Sequence, residues 1–106
     1  MEKKNIDWSN LGFDYVKTDY RFVADYKNGT WQEGTLTEDE NVVINECAGV
    51  LQYAQTIFEG MKAYTTADGR TVTFRPDLNA ERMEQSAVRL EMPIFPKDKF
   101  VEAVLK

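Results

Sequence analysis

Histidine is absent from these 106 residues. Its absence removes Ser-His-Asp and Cys-His nucleophile activation from this stretch, together with the commonest zinc ligand. Cysteine occurs once, as Cys47. An internal disulfide is therefore excluded, and the composition fits a reducing, cytoplasmic setting. Long apolar runs are missing, and none approaches the roughly 20 residues that cross a bilayer. The opening MEKKNIDW carries charge with no apolar stretch behind it, so it does not read as a secretory signal. Positive charge is scarce: 13 basic against 18 acidic residues give a net charge of -5. That balance argues against nucleic acid and against an anionic membrane surface as partners. Glycine-rich phosphate loops are also missing, since Gly60 and Gly69 stand alone. Chemistry in this segment falls to carboxylates, lysine, tyrosine, arginine or a bound cofactor.

What is present reads as one domain, residues 1–106, with ordinary hydrophobic (42%) and charged (29%) content. Trp8, Leu11 and Phe13 are expected to tack an irregular N-terminal arm onto the core. Tyr20 to Lys27 alternates as a strand, Asn28-Gly29 signals a two-residue type I′ turn, and Thr30 to Leu36 returns with Trp31 packing across. Thr37 and Glu40 match a capping box, but the β-branched residues that follow favour a short strand over Val42 to Ile44. Met61–Thr66 and Arg70–Arg75 read as a second hairpin around Asp68-Gly69. Pro76 ends that hairpin and biases Arg75 toward extended backbone. Asp77 or Asn79 is expected to cap a helix reaching about Leu90, with Ala80, Met83, Ala87 and Leu90 as its apolar stripe. Pro96 opens a last helix whose stripe is Phe100, Val101, Val104 and Leu105. That helix stops inside its apolar pattern, so the chain is expected to continue past Lys106. The fold class expected is α+β: a small, mainly antiparallel sheet with helices packed on one side.

Several residues invite a functional reading and have a plainer one beside it. Lys62 suits a strand's polar face better than a Schiff-base role. Arg82 and Arg89, seven apart on the predicted helix, either hold a phosphate together or occupy a solvated face. Tyr53 and Phe58 are core by default, and Cys47 reads as a small buried hydrophobe without a base. Glu59-Gly60 resists explanation. An acid and a glycine interrupt the apolar run LQYAQTIFEGMKAY, residues 51 to 64, where packing alone would not put them. This makes the segment the best candidate for a site rim.

LQYAQTIFEGMKAY followed by DGRTVTFRPDLNAERMEQSAVRLEMP resembles the branched-chain amino acid aminotransferases, pyridoxal-phosphate enzymes of fold type IV. The resemblance is specific over residues 51 to 93 and weaker from about Tyr20 to Lys106. Gln52 stands where the family usually has histidine, beside the site rim. The resemblance implies that Arg82, in NAERM, binds the cofactor phosphate. It implies that Phe58 walls the substrate pocket and that Tyr53 reaches into a neighbouring subunit's pocket. It further implies an N-terminal small domain. The lysine that carries pyridoxal 5'-phosphate would then lie in a later domain, so Lys62 is not promoted to that role. The segment alone is expected to be inactive. The implied reaction moves an amino group between leucine, isoleucine or valine and 2-oxoglutarate. The implied partners are these amino acids and 2-oxo acids, the C-terminal domain of the same chain, and a second copy through the aromatic rim. D-amino acid aminotransferase and aminodeoxychorismate lyase, of the same fold type, are the nearest alternatives. An inert binding domain is the non-enzyme one.

Overall fold

A computed structural model describes residues 4–106. The chain falls into two units, the first ending at Val43 and the second spanning Ile44–Lys106. The class is α+β, as expected. Its strands are antiparallel throughout, but among the described residues they form three two-stranded ladders rather than one sheet.

The first unit is a broken hairpin. The expected strand from Tyr20 to Lys27 is split into β1 (Arg21–Val23) and β2 (Tyr26–Lys27), and the return into β3 (Thr30–Trp31) and β4 (Thr35–Thr37). β2 and β3 meet at the expected turn, where Asn28 and Gly29 have φ of 53° and 78°. That is the type I′ geometry that Asn-Gly favours. Tyr26 faces Trp31 in register, ring edge to ring face at 5.2 Å. The break is a bulge. Between the pairs Tyr26↔Trp31 and Val23↔Thr35, two residues on the outgoing strand face three on the return. Gln32 N bridges the gap by donating to Asp25 O at 2.7 Å. Gly34 sits in the bulge because Phe22 lies on it: a Cβ there would meet the ring's Cζ at 1.9 Å. Bulges shift the face of every later side chain, which simple alternation does not register.

Three expectations for this unit are corrected. Trp8, Leu11 and Phe13 are exposed and tack nothing down. The strand expected over Val42 to Ile44 does not form, and Val43 is 99% exposed. Its residues have no ladder neighbour, and β-branching alone does not make a strand. The capping-box residues instead make local turns. Asp39 N donates to Thr37 Oγ1 at 3.1 Å and Asn41 N to Asp39 Oδ1 at 3.0 Å. The Arg21 guanidinium donates to the carbonyls of Asp39 and Asn41, drawing this stretch back to β1.

The second unit opens with a short helix, α1 (Gly49–Tyr53), closed by Ala54 in the left-handed region. The second hairpin follows as β5 (Ala63–Thr65) and β6 (Thr71–Thr73), shorter than expected but in the expected place. Its loop closes with Thr66 N donating to Arg70 O and Gly69 N to Thr66 O, and Gly69 takes φ 84°. Helix α2 (Pro76–Arg89) and helix α3 (Lys97–Leu105) pack on each other. Ala80 and Ala87 of the expected stripe are the buried apolar residues among those described, Met83 is half-buried and Leu90 is exposed. On α3, Phe100, Val101 and Val104 are half-buried and Leu105 is exposed. The α3 N-terminus is held by Glu84, which accepts from Lys97 N at 3.0 Å, while Glu81 pairs with Lys97 Nζ.

Helix α2 begins and ends unlike its sequence suggests. Neither Asp77 nor Asn79 caps it: Pro76 is its first residue and Arg75 precedes it at φ 47°, left-handed rather than extended. That turn folds Arg75 onto Asp77 in a two-pronged ion pair, at 2.9 and 2.7 Å. The far end is a Schellman motif. Met92 N donates to Ala87 O at 2.8 Å and Glu91 N to Val88 O at 3.2 Å. Glu91 occupies the left-handed position, φ 54°, that glycine usually fills. Glu91→Gly in the full-length protein should therefore stabilise by about 0.5–1 kcal/mol, read from the denaturant midpoint. An unchanged or lowered midpoint would show that the motif does not form.

Candidate functional site

The segment from Gln55 to Gly60 has neither helical nor strand pairing, yet it is tied to α2 at both ends. At one end the Gln55 side chain donates to Leu90 O at 2.8 Å. Gly49 makes room for it, because a Cβ there would meet Gln55 Oε1 at 2.3 Å. At the other end Glu59 accepts from Asn79 Nδ2 at 2.8 Å and from both Nε and Nη2 of Arg82, the Nε bond being 3.3 Å. Asn79 also donates to Gly60 O at 2.9 Å. Asn79 is buried, so its amide has traded water for two fixed acceptors. This explains the acid that interrupts the apolar run: Glu59 is the clasp between the segment and α2. Gly60 contributes a carbonyl, and a Cβ at that position would find ordinary space.

The Arg82 guanidinium beside it holds the Glu59 carboxyl below its usual range, and the Asn79 hydrogen bond acts in the same direction. Glu59 in turn raises the pKa of Arg82. The pair is asymmetric. The Glu59 side chain is 10% exposed and that of Arg82 61%.

Between the segment and the helix lies a cleft of about 480 Å³, lined by Ile57, Phe58, Arg82, Gln85, Ser86, Arg89 and Leu90. Arg82, Ser86 and Arg89 stand at i, i+4 and i+7 and so share one helix face. The cleft thus has an apolar wall, from the segment, and a cationic, hydroxyl-bearing wall, from α2. A phosphate fits the second wall. Glu59 takes two of Arg82's N–H groups, and a guanidinium has more to give. Arg89 makes no ion pair among the described residues, and Ser86 adds a hydroxyl.

The structure brings Phe58, Arg82 and Arg89 together and leaves Tyr53 outside this cleft, at the end of α1. The default reading of Tyr53 and Phe58 as core is overturned: they are 86% and 87% exposed. Cys47 is likewise exposed rather than buried. Lys62 is exposed just before β5, lining a separate depression with Tyr64, Phe74 and Asn79. Gln52 donates to Glu46 O at 2.8 Å, a local bond from α1 back to the turn that precedes it. Sequence reasoning missed Gln85, Ser86 and the role of Asn79. The i+3 and i+4 spacing from Arg82 would have flagged the first two. Among the described residues no cluster of side chains suits a metal ion, and no helix is long and apolar enough to cross a membrane.

No family model matches the chain. Its relatives are aminotransferases, and it is homologous to that class of enzyme along nearly its whole length. Within the class it is homologous to the branched-chain-amino-acid aminotransferases. It is 53% identical over 100 residues to the one from Haemophilus influenzae, covering 94% of this chain and 29% of that protein. It is 46% identical over 100 residues to the one from Helicobacter pylori, with the same coverage. A methionine aminotransferase of Arabidopsis thaliana is 46% identical over 101 residues, covering 94% of this chain and 28% of that protein. The chain thus spans less than a third of the length of these relatives.

The pair that starts α2 yields a test of the frame on which Asn79 and Arg82 stand. Arg75 holds the Asp77 carboxyl at about 2, from an ordinary 3.8. A carboxyl lowered in the folded state stabilises above its unfolded value and loses that contribution as pH falls through the folded one. The contribution is therefore complete above about pH 4 and gone below about pH 2. Asp77→Asn should flatten the full-length protein's acid-unfolding profile across that window, followed by circular dichroism. A profile that matches the parent would show the pair unformed in solution.

Proposed function

We propose that this chain is the N-terminal small domain, residues 1–106, of a pyridoxal-phosphate-dependent aminotransferase. The enzyme would exchange the amino group between branched-chain L-amino acids (leucine, isoleucine and valine) and 2-oxoglutarate. The observation that carries the reading is the meeting of Arg82 and Phe58 in one cleft of a chain homologous to those aminotransferases. Arg82 would hold the cofactor phosphate by its charge and the N–H groups that Glu59 leaves over. When bound, pyridoxal phosphate supplies an electron sink for the carbon that carries the amino group. Phe58 would give the pocket an apolar wall suited to branched aliphatic side chains and would limit water there. Tyr53, exposed at the end of α1, would serve a neighbouring subunit's pocket.

The exposed apolar surface supports a covering partner. In the second unit Tyr53, Phe58 and Phe74 are 86%, 87% and 82% exposed. The C-terminal domain of the same protein, carrying the cofactor's lysine, and a second copy meeting it at the aromatic rim would cover part of it. Cys47, the lone cysteine, suits a cytoplasmic site of action.

Arg82→Ala in the full-length protein should weaken binding of pyridoxal phosphate roughly tenfold to a hundredfold, a charge-assisted contact being lost. Binding of pyridoxal, which lacks the phosphate, should not change. Equal losses for both would place Arg82 away from the phosphate. Phe58→Ala should shift the ranking of amino donors, in a panel of leucine, isoleucine, valine, methionine and D-alanine, and leave the melting temperature within a few degrees. A collapse in melting temperature with unchanged ranking would make Phe58 a packing residue. Preference of the parent protein for D-alanine would overturn the branched-chain assignment.

A further inference from the structure

The clasp at Glu59 does more than fasten a loop. If its task were only to tie the segment to α2, the Asn79 bonds to Glu59 and Gly60 would suffice, and both partners of any added ion pair would be covered. Instead the carboxylate is nine-tenths covered and the guanidinium it grips is mostly open, on the wall of the cleft. Glu59 is held by Asn79, a buried residue of α2. Its two oxygens take Arg82 through Nε and Nη2, a planar fork that leaves the guanidinium little freedom to rotate. An arginine left alone on an exposed helix face would sample many rotamers and lose that freedom only when an anion bound.

We propose that Glu59 is a positioning residue for the phosphate site, acting through Arg82 to hold its unclaimed N–H edge ready for the cofactor's phosphate. The inference rests on the aminotransferase reading above. It predicts that Glu59 matters to phosphate binding only while Arg82 is present. The charge argues the other way, since an anion beside Arg82 lowers the site's attraction for phosphate. The geometric contribution must therefore exceed that electrostatic cost.

The test is a double-mutant cycle in the full-length protein, with Glu59→Ala, Arg82→Ala and the double variant. Dissociation constants are measured for pyridoxal phosphate and for pyridoxal. Glu59→Ala should weaken pyridoxal phosphate about tenfold, leave pyridoxal unchanged, and add nothing in the Arg82→Ala background. Glu59→Gln keeps an acceptor for Asn79 and Arg82, should recover part of the loss, and carries the same cycle if the alanine variant does not fold. Phosphate binding that is unchanged or tighter on removing Glu59 would overturn the inference, as would an equal loss with and without Arg82. If Arg82→Ala alone leaves pyridoxal phosphate binding intact, the phosphate role of Arg82 fails, and the positioning role fails with it. If Arg82→Ala acts and Glu59→Ala does not, the positioning role fails on its own.

Discussion

The site in the second unit depends on one carboxylate. Glu59 receives Asn79 and Arg82, and through them an unpaired six-residue stretch is laid along α2. Without regular hydrogen bonding of its own, that stretch needs side-chain anchors to hold a shape. Gln55 on Leu90 O and Glu59 on α2 supply them at opposite ends. What lies between the anchors, Ile57 and Phe58, is thereby presented to the cleft rather than buried in a core.

The same clasp sets the cleft's electrostatics. Arg82 is partly neutralised by Glu59, whereas Arg89, one helical repeat on, has no ion pair among the described residues. Ser86 lies between them on the helix face. An anion entering the cleft would thus meet an oriented guanidinium, a hydroxyl and an uncompensated charge on one wall, and an aromatic ring on the other. Such a division suits a ligand with a phosphate at one end and an apolar substrate side chain at the other.

Local chemistry made much of this legible in advance. Asn28-Gly29 and Asp68-Gly69 mark their turns because left-handed backbone at Asn28, Gly29 and Gly69 favours those residues, while the Asp68 side chain bonds Thr66 and Arg70 across its own turn. Ala80 and Ala87 mark the buried face of α2 by spacing alone. Glu59 was visible as an anomaly, an acid where periodicity wanted an apolar residue, but periodicity cannot name the partners of an anomaly. Those lie 20 and 23 residues away, on a helix whose approach is set by tertiary packing. The strand ends were illegible for a related reason. A bulge at Gly34 depends on the Phe22 ring across the ladder, and the strand expected over Val42 to Ile44 failed for want of a neighbour. Arg75 departs from the rule for residues before proline, and its left-handed turn sets its guanidinium against Asp77, a partner that local propensity does not reveal. The roles proposed for Arg82 and Phe58 come from resemblance to a family, since spacing leaves Arg82 open to a solvated-face reading and Phe58 open to a core one.

A crystal structure of the full-length protein with pyridoxal phosphate bound tests the account most directly. The account predicts phosphate oxygens within hydrogen-bond distance of Arg82, on the edge that Glu59 does not hold, with Glu59 still bound to Asn79. A phosphate seated away from Arg82, or a Glu59 turned out to solvent in that complex, would contradict it.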